Sequence, residues 1–278
     1  MREPKFIIAI GSKGIGKTYT SKQIIEAYIT GSERLKARKT LVFDANNEYP
    51  YRRLALKDVL AYANLHKPDV RRVTCFHTDG KRNGYPMTNE ELVDSMCHII
   101  QNYSNGLLVL EDITKYIGDS YKKDFIGMLA VLRHVNTDVV VHFQFKGKAG
   151  HPKLLAMTNY IRLHETTDSF YAHYDKFGEH LEPLMIAEKL VSYKNSSLPV
   201  DKHWFYCYIN LERHSIEGNF TKKDLSMAIE EYISDNDNLT IKPLLKKKDR
   251  SGQVMYNYNK ALQFLEKSYL EKYYGNPN

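Results

Sequence analysis

The feature that most constrains this chain is a glycine-rich segment close to its N-terminus. Residues Gly11 to Thr18 read Gly-Ser-Lys-Gly-Ile-Gly-Lys-Thr and match the pattern G-x-x-x-x-G-K-[ST] at every fixed position. A continuous apolar run, Phe6 to Ile10, precedes the segment and predicts a strand buried on both faces. After the segment, Ile24, Ile25 and Tyr28 recur at helical spacing. The sequence therefore predicts a strand, a glycine loop and a helix in direct succession, which is the local structure of a phosphate-binding loop.

A loop of this kind holds a nucleoside triphosphate mainly through its backbone. Glycines permit backbone conformations and close approaches that a Cβ atom would forbid, so successive N–H groups and the helix N-terminus can face the phosphates. We expect Lys17 to bridge β- and γ-phosphate oxygens and the Thr18 hydroxyl to bind Mg²⁺, so ATP and Mg²⁺ are the predicted ligands. Lys13 either touches phosphate or points to solvent. The predicted nucleotide-binding residues are Gly11, Ser12, Lys13, Gly14, Ile15, Gly16, Lys17, Thr18 and Tyr19.

An acidic pair follows a second apolar run. Leu107 to Leu110 predicts a buried central strand, and Glu111 and Asp112 come directly after it. The usual order of such a pair is Asp and then Glu, so the order here is reversed. We assign Glu111, with Thr18, to the magnesium shell and Asp112 to activation of the attacking water. The alternative is a carboxylate pair that caps the following helix.

Two further predicted strands also end in polar residues. Asp44 follows Thr40 to Phe43, with Glu48 close behind, and Gln144 follows Asp138 to Phe143. In open α/β sheets, ligands lie at the carboxyl ends of the strands. Gln144 is therefore expected to orient the water or sense the γ-phosphate, unless it is an ordinary loop residue. Asp44 and Glu48 either face the nucleotide or cap a helix.

Strand and helix patterns alternate along most of the chain, which predicts an α/β fold with a mainly parallel sheet flanked by helices, as in RecA-like P-loop NTPases. We place the ATPase domain at residues 1–217 and a small helical C-terminal extension at residues 218–278. Thr88 and Thr221 begin patterns typical of helix capping boxes. The aromatic run Trp204 to Ile209 predicts a strand with its rings in the core, and a base-stacking platform is the alternative.

Composition narrows the class of protein. The chain has 278 residues, 42% hydrophobic and 26% charged, which is typical of a globular protein and not of a disordered one. No apolar stretch is long enough to span a membrane, and the run that begins at Phe6 is too short for a signal peptide. Cys75, Cys97 and Cys207 form no metal or disulfide pattern, so we expect a reducing, cytoplasmic compartment.

The charge balance permits a polyanionic partner. The formal net charge is +7 and the sequence pI is about 9.0. A local cluster, Lys246 to Arg250, contains four of the cations and is either a DNA contact or a solvated loop.

The ordered set of motifs resembles the FtsK–HerA superfamily of P-loop ATPases over about the first 160 residues. Its elements are the glycine loop, Asp44 followed by Glu48 and Tyr49, the strand that ends in Glu111 and Asp112, and Arg133 ahead of the strand that ends in Gln144. The resemblance implies a ring, a hexamer or pentamer, in which an arginine of one subunit reaches the γ-phosphate bound by its neighbour.

Within this resemblance, Arg133 is the candidate arginine finger and Arg162 a second one. The alternative role of Arg133 is that of a helix-end cation near the helix C-terminal dipole. A glycine loop that begins at residue 11 leaves no room for an N-terminal barrel or membrane anchor, which favours similarity to the genome-packaging ATPases of viruses and phages.

The sequence thus predicts an ATP-hydrolysing motor that translocates double-stranded DNA, with catalytic residues Lys17, Glu111, Asp112, Arg133 and Gln144. The segment Lys146 to Gly150 is a candidate flexible pore loop, with an ordinary surface turn as the alternative. Expected partners are other copies of the chain and a portal, capsid or membrane protein, without membrane insertion, in the host cytoplasm or the virion. The alternatives are a phage assembly or export ATPase similar to zonula occludens toxin, a P-loop small-molecule kinase, and a regulatory nucleotide switch.

Overall fold

The computed structural model describes residues 3–33, 36–78, 80–113, 122–199 and 202–275, and these divide into two compact units. The first unit is Met1–Tyr160 and the second is Ile161–Asn278. Among the described residues, no helix is both long and apolar enough to cross a membrane.

The first unit contains a parallel sheet with helices between its strands. All four strand pairings are parallel, and the strands lie in the order β3-β2-β4-β5-β1. The strands are β1 (Phe6–Ile10), β2 (Lys39–Asp44), β3 (Val70–Thr74), β4 (Gly106–Leu110) and β5 (Asp138–Phe143). The helices are α1 (Lys17–Thr30), α2 (Val59–Ala63), α3 (Asn89–Asn102), α4 (Lys122–Val131), α5 (Lys146–Ala149) and α6 (Pro152–Met157).

The central strands are buried on both faces of the sheet. Every residue of β2, β4 and β5 is buried. Ala9, Val42, Val109 and Val140 of the sheet pack in one buried cluster with Ile25 of α1. The helix that follows the glycine loop is thereby fixed against the middle of the sheet.

The start of β4 leaves no room for a side chain. A Cβ atom at Gly106 would lie 2.5 Å from the carbonyl oxygen of Lys39 and closer still to the hydroxyl of Tyr103. Only glycine therefore allows β4 to lie so close to β2 at this point.

Among its described residues, the second unit combines short strands with helices, and its first strand begins one residue earlier, at the end of the first unit. The strands are β6 (Tyr160–Leu163), β7 (Cys207–Asn210) and β8 (Ser215–Gly218), and β7 and β8 are antiparallel. The helices are α7 (Tyr174–Phe177), α8 (Leu181–Ser196), α9 (Lys222–Asp235), α10 (Ile241–Leu245) and α11 (Tyr258–Tyr273). Helix α9 packs against α8 and α11.

The predicted α/β architecture with C-terminal helices is confirmed, and so are both capping boxes. The hydroxyl of Thr88 accepts a hydrogen bond from the backbone N–H of Glu91, whose carboxylate accepts one from the backbone N–H of Thr88. Thr221 and Asp224 exchange the same pair of bonds. The predicted domain boundary at 217/218 lies within β8 and not at the boundary between the two units; it stays a prediction.

The predicted strand at Trp204 starts later than expected. β7 begins at Cys207, and Trp204 is 52% exposed, so this ring does not belong to the core.

Candidate nucleotide-binding site

Because β1, β2, β4 and β5 are parallel, their carboxyl ends meet at one edge of the first unit. A cavity of about 760 Å³ opens there. Its lining residues come from the ends of all four strands and from the segments that follow them. They are Lys13, Gly14, Gly16, Lys17, Thr18, Asn46, Glu48, Glu111, Asp112, Gln144, Phe145 and Lys148.

The glycine loop has the backbone that its sequence predicts. Gly14 and Gly16 have φ angles of 83° and 87°, in the left-handed region that favours glycine. The ammonium group of Lys17 donates to the carbonyl oxygens of Gly11 and Ser12, at 2.6 and 2.7 Å. Gly16 offers no side chain to cap α1, and the first turn of the helix contains no acidic residue. The amino end of α1 is therefore suited to an anion.

Five of the nine predicted nucleotide-binding residues line the cavity, including Lys13. Gly11 and Ser12 contribute the carbonyl groups that hold Lys17. Tyr19 is 57% exposed and is not among the lining residues.

Thr18 lies between two carboxylates. Its hydroxyl oxygen is 2.8 Å from Oε2 of Glu48 and 3.3 Å from Oε1 of Glu111. Glu48 therefore lies on the nucleotide side of the site, which is one of the two positions expected for it.

Glu111 is almost completely buried, with 3% exposure. Its Oε1 accepts a 2.6 Å hydrogen bond from the Tyr49 hydroxyl and lies 3.1 Å from Nδ1 of His142. Burial raises the pKa of Glu111, but the positive character and hydrogen bond of His142, with smaller effects of Tyr49 and Lys17, lower it to about 2. Glu111 is thus an ionised carboxylate at neutral pH.

Asp112 and Gln144 meet across two neighbouring strands. Nε2 of Gln144, at the end of β5, donates to Oδ2 of Asp112, just past β4, at 2.5 Å. Asp112 has a φ angle of 46°, a left-handed conformation that Asp adopts more readily than most residues. Both side chains line the cavity.

Asp44 organises the site without lining the cavity. Its fully buried carboxylate accepts hydrogen bonds from the backbone N–H groups of Glu48 and Tyr49, at 2.8 and 3.1 Å. NH1 of Arg72, on β3, donates to the same carboxylate at 2.6 Å. Asp44 neither faces the nucleotide nor caps a helix; it folds the segment that carries Glu48 and Tyr49 back towards Thr18.

Arg133 lies away from the cavity of its own chain. It follows α4 and precedes β5, at the amino edge of the sheet, where NH2 donates to Oε1 of Glu3 at 2.5 Å. Arg162, in the second unit, has 0% exposure, and such a buried side chain is unsuited to reach a neighbouring subunit.

The segment after Gln144 was predicted to be a flexible pore loop, and the structure corrects that prediction. Lys146 to Ala149 form the short helix α5, and the side chain of Lys146 is buried with 1% exposure. Lys148 lines the nucleotide cavity. The segment is thus not the flexible positive loop that glycine and lysine content suggested.

Sequence reasoning assigned no role to four residues that contact Glu111, Asp44 or His142. Tyr49 binds Glu111, Arg72 binds Asp44, and Ser21 is 2.8 Å from His142, which is adjacent to Glu111. The position of Tyr49 directly after Glu48 could have identified it as a residue of the site. For His142, the indication in the sequence was a polar residue within an otherwise apolar run of β5.

The site fits the predicted magnesium ion. A threonine hydroxyl beside an ionised glutamate offers hard oxygen donors, which Mg²⁺ prefers, and this ion keeps much of its coordination shell for water and phosphate. Within the described ranges, no group of three or more His, Cys, Asp or Glu side chains is arranged to hold a metal ion.

The structure is similar to solved P-loop NTPases. B204, the DNA-packaging ATPase from Sulfolobus turreted icosahedral virus, matches with a TM-score of 0.50 and 14% identity, over 79% of this chain and 100% of that chain. The genome packaging NTPase B204 from Sulfolobus turreted icosahedral virus 2, in complex with AMP, gives 0.47 and 13%, over 79% and 99%. The N-terminal domain of zonular occludens toxin from Neisseria meningitidis gives 0.30 and 11%, over 58% and 76%. No protein-family model and no curated protein matches the sequence.

At 14% identity the likeness to B204 concerns the fold. It agrees with the glycine loop, the parallel sheet and the polar residues gathered at its carboxyl edge. The chain therefore has the fold of a P-loop NTPase.

Proposed function

We propose that this chain hydrolyses ATP to drive double-stranded DNA through a ring of its own copies, and that it packages a viral genome. One observation carries the hydrolase part: Lys17, Thr18, Glu111, Asp112 and Gln144, drawn from three strand ends, line one cavity.

Binding of ATP would use groups that are already in place. The N–H groups of the loop and the amino end of α1 would bind the phosphates, and Lys17 would exchange the carbonyl oxygens of Gly11 and Ser12 for phosphate oxygens. Thr18 and Glu111 would hold Mg²⁺, which when bound neutralises phosphate charge and orients the phosphates.

Asp112 and Gln144 form the unit that would act on water. The hydrogen bond between them fixes the carboxylate against the end of β5. A water molecule bound at this pair would transfer a proton to the Asp112 carboxylate while its oxygen attacks the γ-phosphorus. The bond from the γ-phosphorus to the β,γ-bridging oxygen would then break, so that ADP leaves with the electron pair of that bond and inorganic phosphate forms. Glu111 is less suited to this role because its contacts with Tyr49 and His142 lower its pKa to about 2, and a carboxylate with so low a pKa is a weak base.

The position of Arg133 supports the ring. The side chain is one-third exposed at the amino edge of the sheet, whereas the cavity of the same chain opens at the carboxyl edge. Arg133 could therefore serve as an arginine finger only for a neighbouring subunit. DNA as the client is supported by the net charge of +7 and by the shared fold with B204, a DNA-packaging ATPase.

The test compares ATP hydrolysis with and without double-stranded DNA, alongside the mass of the protein in solution. Lys17→Ala is expected to abolish turnover. Arg133→Ala is expected to lower turnover in the ring by about 10³-fold or more, as loss of an arginine finger does in other NTPases. Arg213→Ala removes an exposed arginine in the second unit and is the charge-matched control. Glu3→Gln separates loss of the Glu3–Arg133 ion pair from loss of the finger.

The outcomes distinguish the parts of the proposal. Recovery of activity on mixing Lys17→Ala with Arg133→Ala subunits supports a finger that acts between subunits. A monomer whose turnover ignores DNA refutes the motor, and unchanged turnover in Arg133→Ala refutes the finger. Stimulation by a protein client instead of DNA favours an assembly or export ATPase.

A further inference from the structure

The second unit presents a small, ordered hairpin rich in cations, which we call the basic hairpin (residues 246–256). Lys248 and Val254 form an antiparallel bridge, and the N–H of Met255 donates to the carbonyl oxygen of Lys247 at 3.0 Å. Gly252, with a φ angle of 85°, lies in the turn. The hairpin follows α10 and leads into α11.

The turn is closed by its one carboxylate. Oδ1 of Asp249 accepts hydrogen bonds from the backbone N–H groups of Ser251 and Gln253, at 2.8 and 2.9 Å. Ring contact between Tyr256 and Phe264, with centroids 5.4 Å apart, anchors the second arm to α11. The cations of the hairpin are thus displayed on a preorganised backbone.

The charge is concentrated and exposed. The basic hairpin contains four cations and one carboxylate, a net formal charge of +3, compared with +7 for the entire chain. Lys246, Lys247, Lys248 and Arg250 are all exposed. Among the described residues, no salt bridge involves these four, whereas Lys189 and Lys194 of the same unit are paired with carboxylates.

We propose that the basic hairpin binds the phosphate backbone of double-stranded DNA, independently of sequence. This inference rests on the proposed function for its client and adds a contact outside the nucleotide-binding unit. A two-stranded ribbon has dimensions that suit a DNA groove, and its lysines suit phosphates. A membrane surface is less suited, because the cations lie on a turn and not on the polar face of a long amphipathic helix.

The experiment measures DNA affinity of the full-length chain against salt concentration, with a fluorescently labelled duplex of mixed sequence. Lys247→Ala/Lys248→Ala removes two charges from the hairpin. Lys222→Ala/Lys223→Ala removes two exposed charges from the first turn of α9 and is the matched control. Lys247→Arg/Lys248→Arg keeps the hairpin charge.

Each lysine–phosphate contact contributes about 0.9 to the slope of log affinity against log salt. The alanine pair in the hairpin is therefore expected to reduce the slope by about 2 and to weaken binding roughly 60-fold at about 0.1 M salt. The control and the arginine pair are expected to keep the wild-type slope. ATP hydrolysis without DNA should be unchanged in all three variants.

An unchanged slope in the hairpin variant, or an equal drop in the control, would overturn the inference. Equal competition by an acidic polypeptide would also overturn it, because the site would then be a general polyanion surface. A hairpin-dependent slope in a protein that hydrolyses no ATP would support the hairpin and refute the proposed function. ATP hydrolysis that DNA stimulates, together with an unchanged slope in the hairpin variant, would support the proposed function and refute the role of the hairpin.

Discussion

Two neighbouring arginines on β3 allow the organising role of Asp44 to be measured. Arg72 pairs at 2.6 Å with Asp44, whose side chain has 0% exposure, and Arg71 pairs at 2.8 Å with Asp69, whose side chain has 30% exposure. Asp→Asn at each position changes one oxygen into an NH₂ group and leaves the size of the side chain unchanged.

The two substitutions differ in what they leave behind. In Asp44→Asn, the amide group must point its NH₂ either at the N–H of Glu48 or at the N–H of Tyr49 and the guanidinium of Arg72, all of which are donors. A hydrogen bond to a charged group contributes about 1.5–3 kcal/mol, and breaking a buried ion pair costs about 3–5 kcal/mol. The side chain of Arg72 keeps 13% exposure, so we expect the low end, about 3 kcal/mol. Asp69→Asn should cost no more than about 1 kcal/mol.

Urea unfolding at pH 7 measures both losses. With a slope of about 2–3 kcal/mol per M, Asp44→Asn should lower the midpoint by about 1–1.5 M, and Asp69→Asn by less than about 0.5 M. Folded Asp44→Asn should also bind ATP more weakly, because Glu48 and Tyr49 lose their attachment. Equal midpoints for the two variants would refute the organising role of Asp44.

Two further predictions concern the acidic pair and the sheet beneath it. Tyr49→Phe should cost about 1.5–3 kcal/mol at pH 7, by loss of the bond to Glu111. The pKa of Glu111, about 2, lies below its ordinary value, so the ionised carboxylate stabilises the fold above about pH 4.5, and this stabilisation is lost as the pH falls towards 2. Tyr49→Phe raises that pKa, so the loss of unfolding free energy in this variant, measured with urea, should be smaller at pH 3 than at pH 7. An equal loss at the two pH values would contradict the argument. Gly106→Ala should destabilise by more than about 3 kcal/mol through overpacking against Lys39 and Tyr103, whereas Gly127→Ala, where a Cβ meets nothing within 4 Å, should not.

The local parts of the site follow from sequence because they lie within one continuous segment. The glycine loop needs only β1 before it and α1 after it, and both elements were predicted from apolar spacing. Glu111 and Gln144 were predicted at the sheet edge for the same reason, since each directly follows an apolar strand.

The remaining parts depend on which strands are neighbours, and spacing does not contain that information. β3 was not predicted, because Arg71 and Arg72 interrupt its apolar pattern, yet it supplies the arginine that holds Asp44. His142 meets Glu111 because β4 lies beside β5, a long-range pairing. The segment that begins at Lys146 was predicted to be a flexible, positively charged loop because of its lysine and glycine content. It forms a short helix instead, and that helix buries the Lys146 side chain.

The reversed order of the acidic pair has a physical basis in the turn after β4. Residue 111 still continues the buried strand, and the longer Glu side chain reaches both the Tyr49 hydroxyl and the Thr18 hydroxyl, the latter at 3.3 Å. An Asp there would be one methylene shorter and would lose the more distant contact. Residue 112 has a positive φ angle, which Asp tolerates, and that turn directs its short carboxylate to Gln144. Side-chain length thus lets Glu111 hold the Tyr49 and Thr18 hydroxyls, and backbone conformation directs Asp112 to Gln144. Because each carboxylate has its own set of contacts, the reversed order is compatible with hydrolysis.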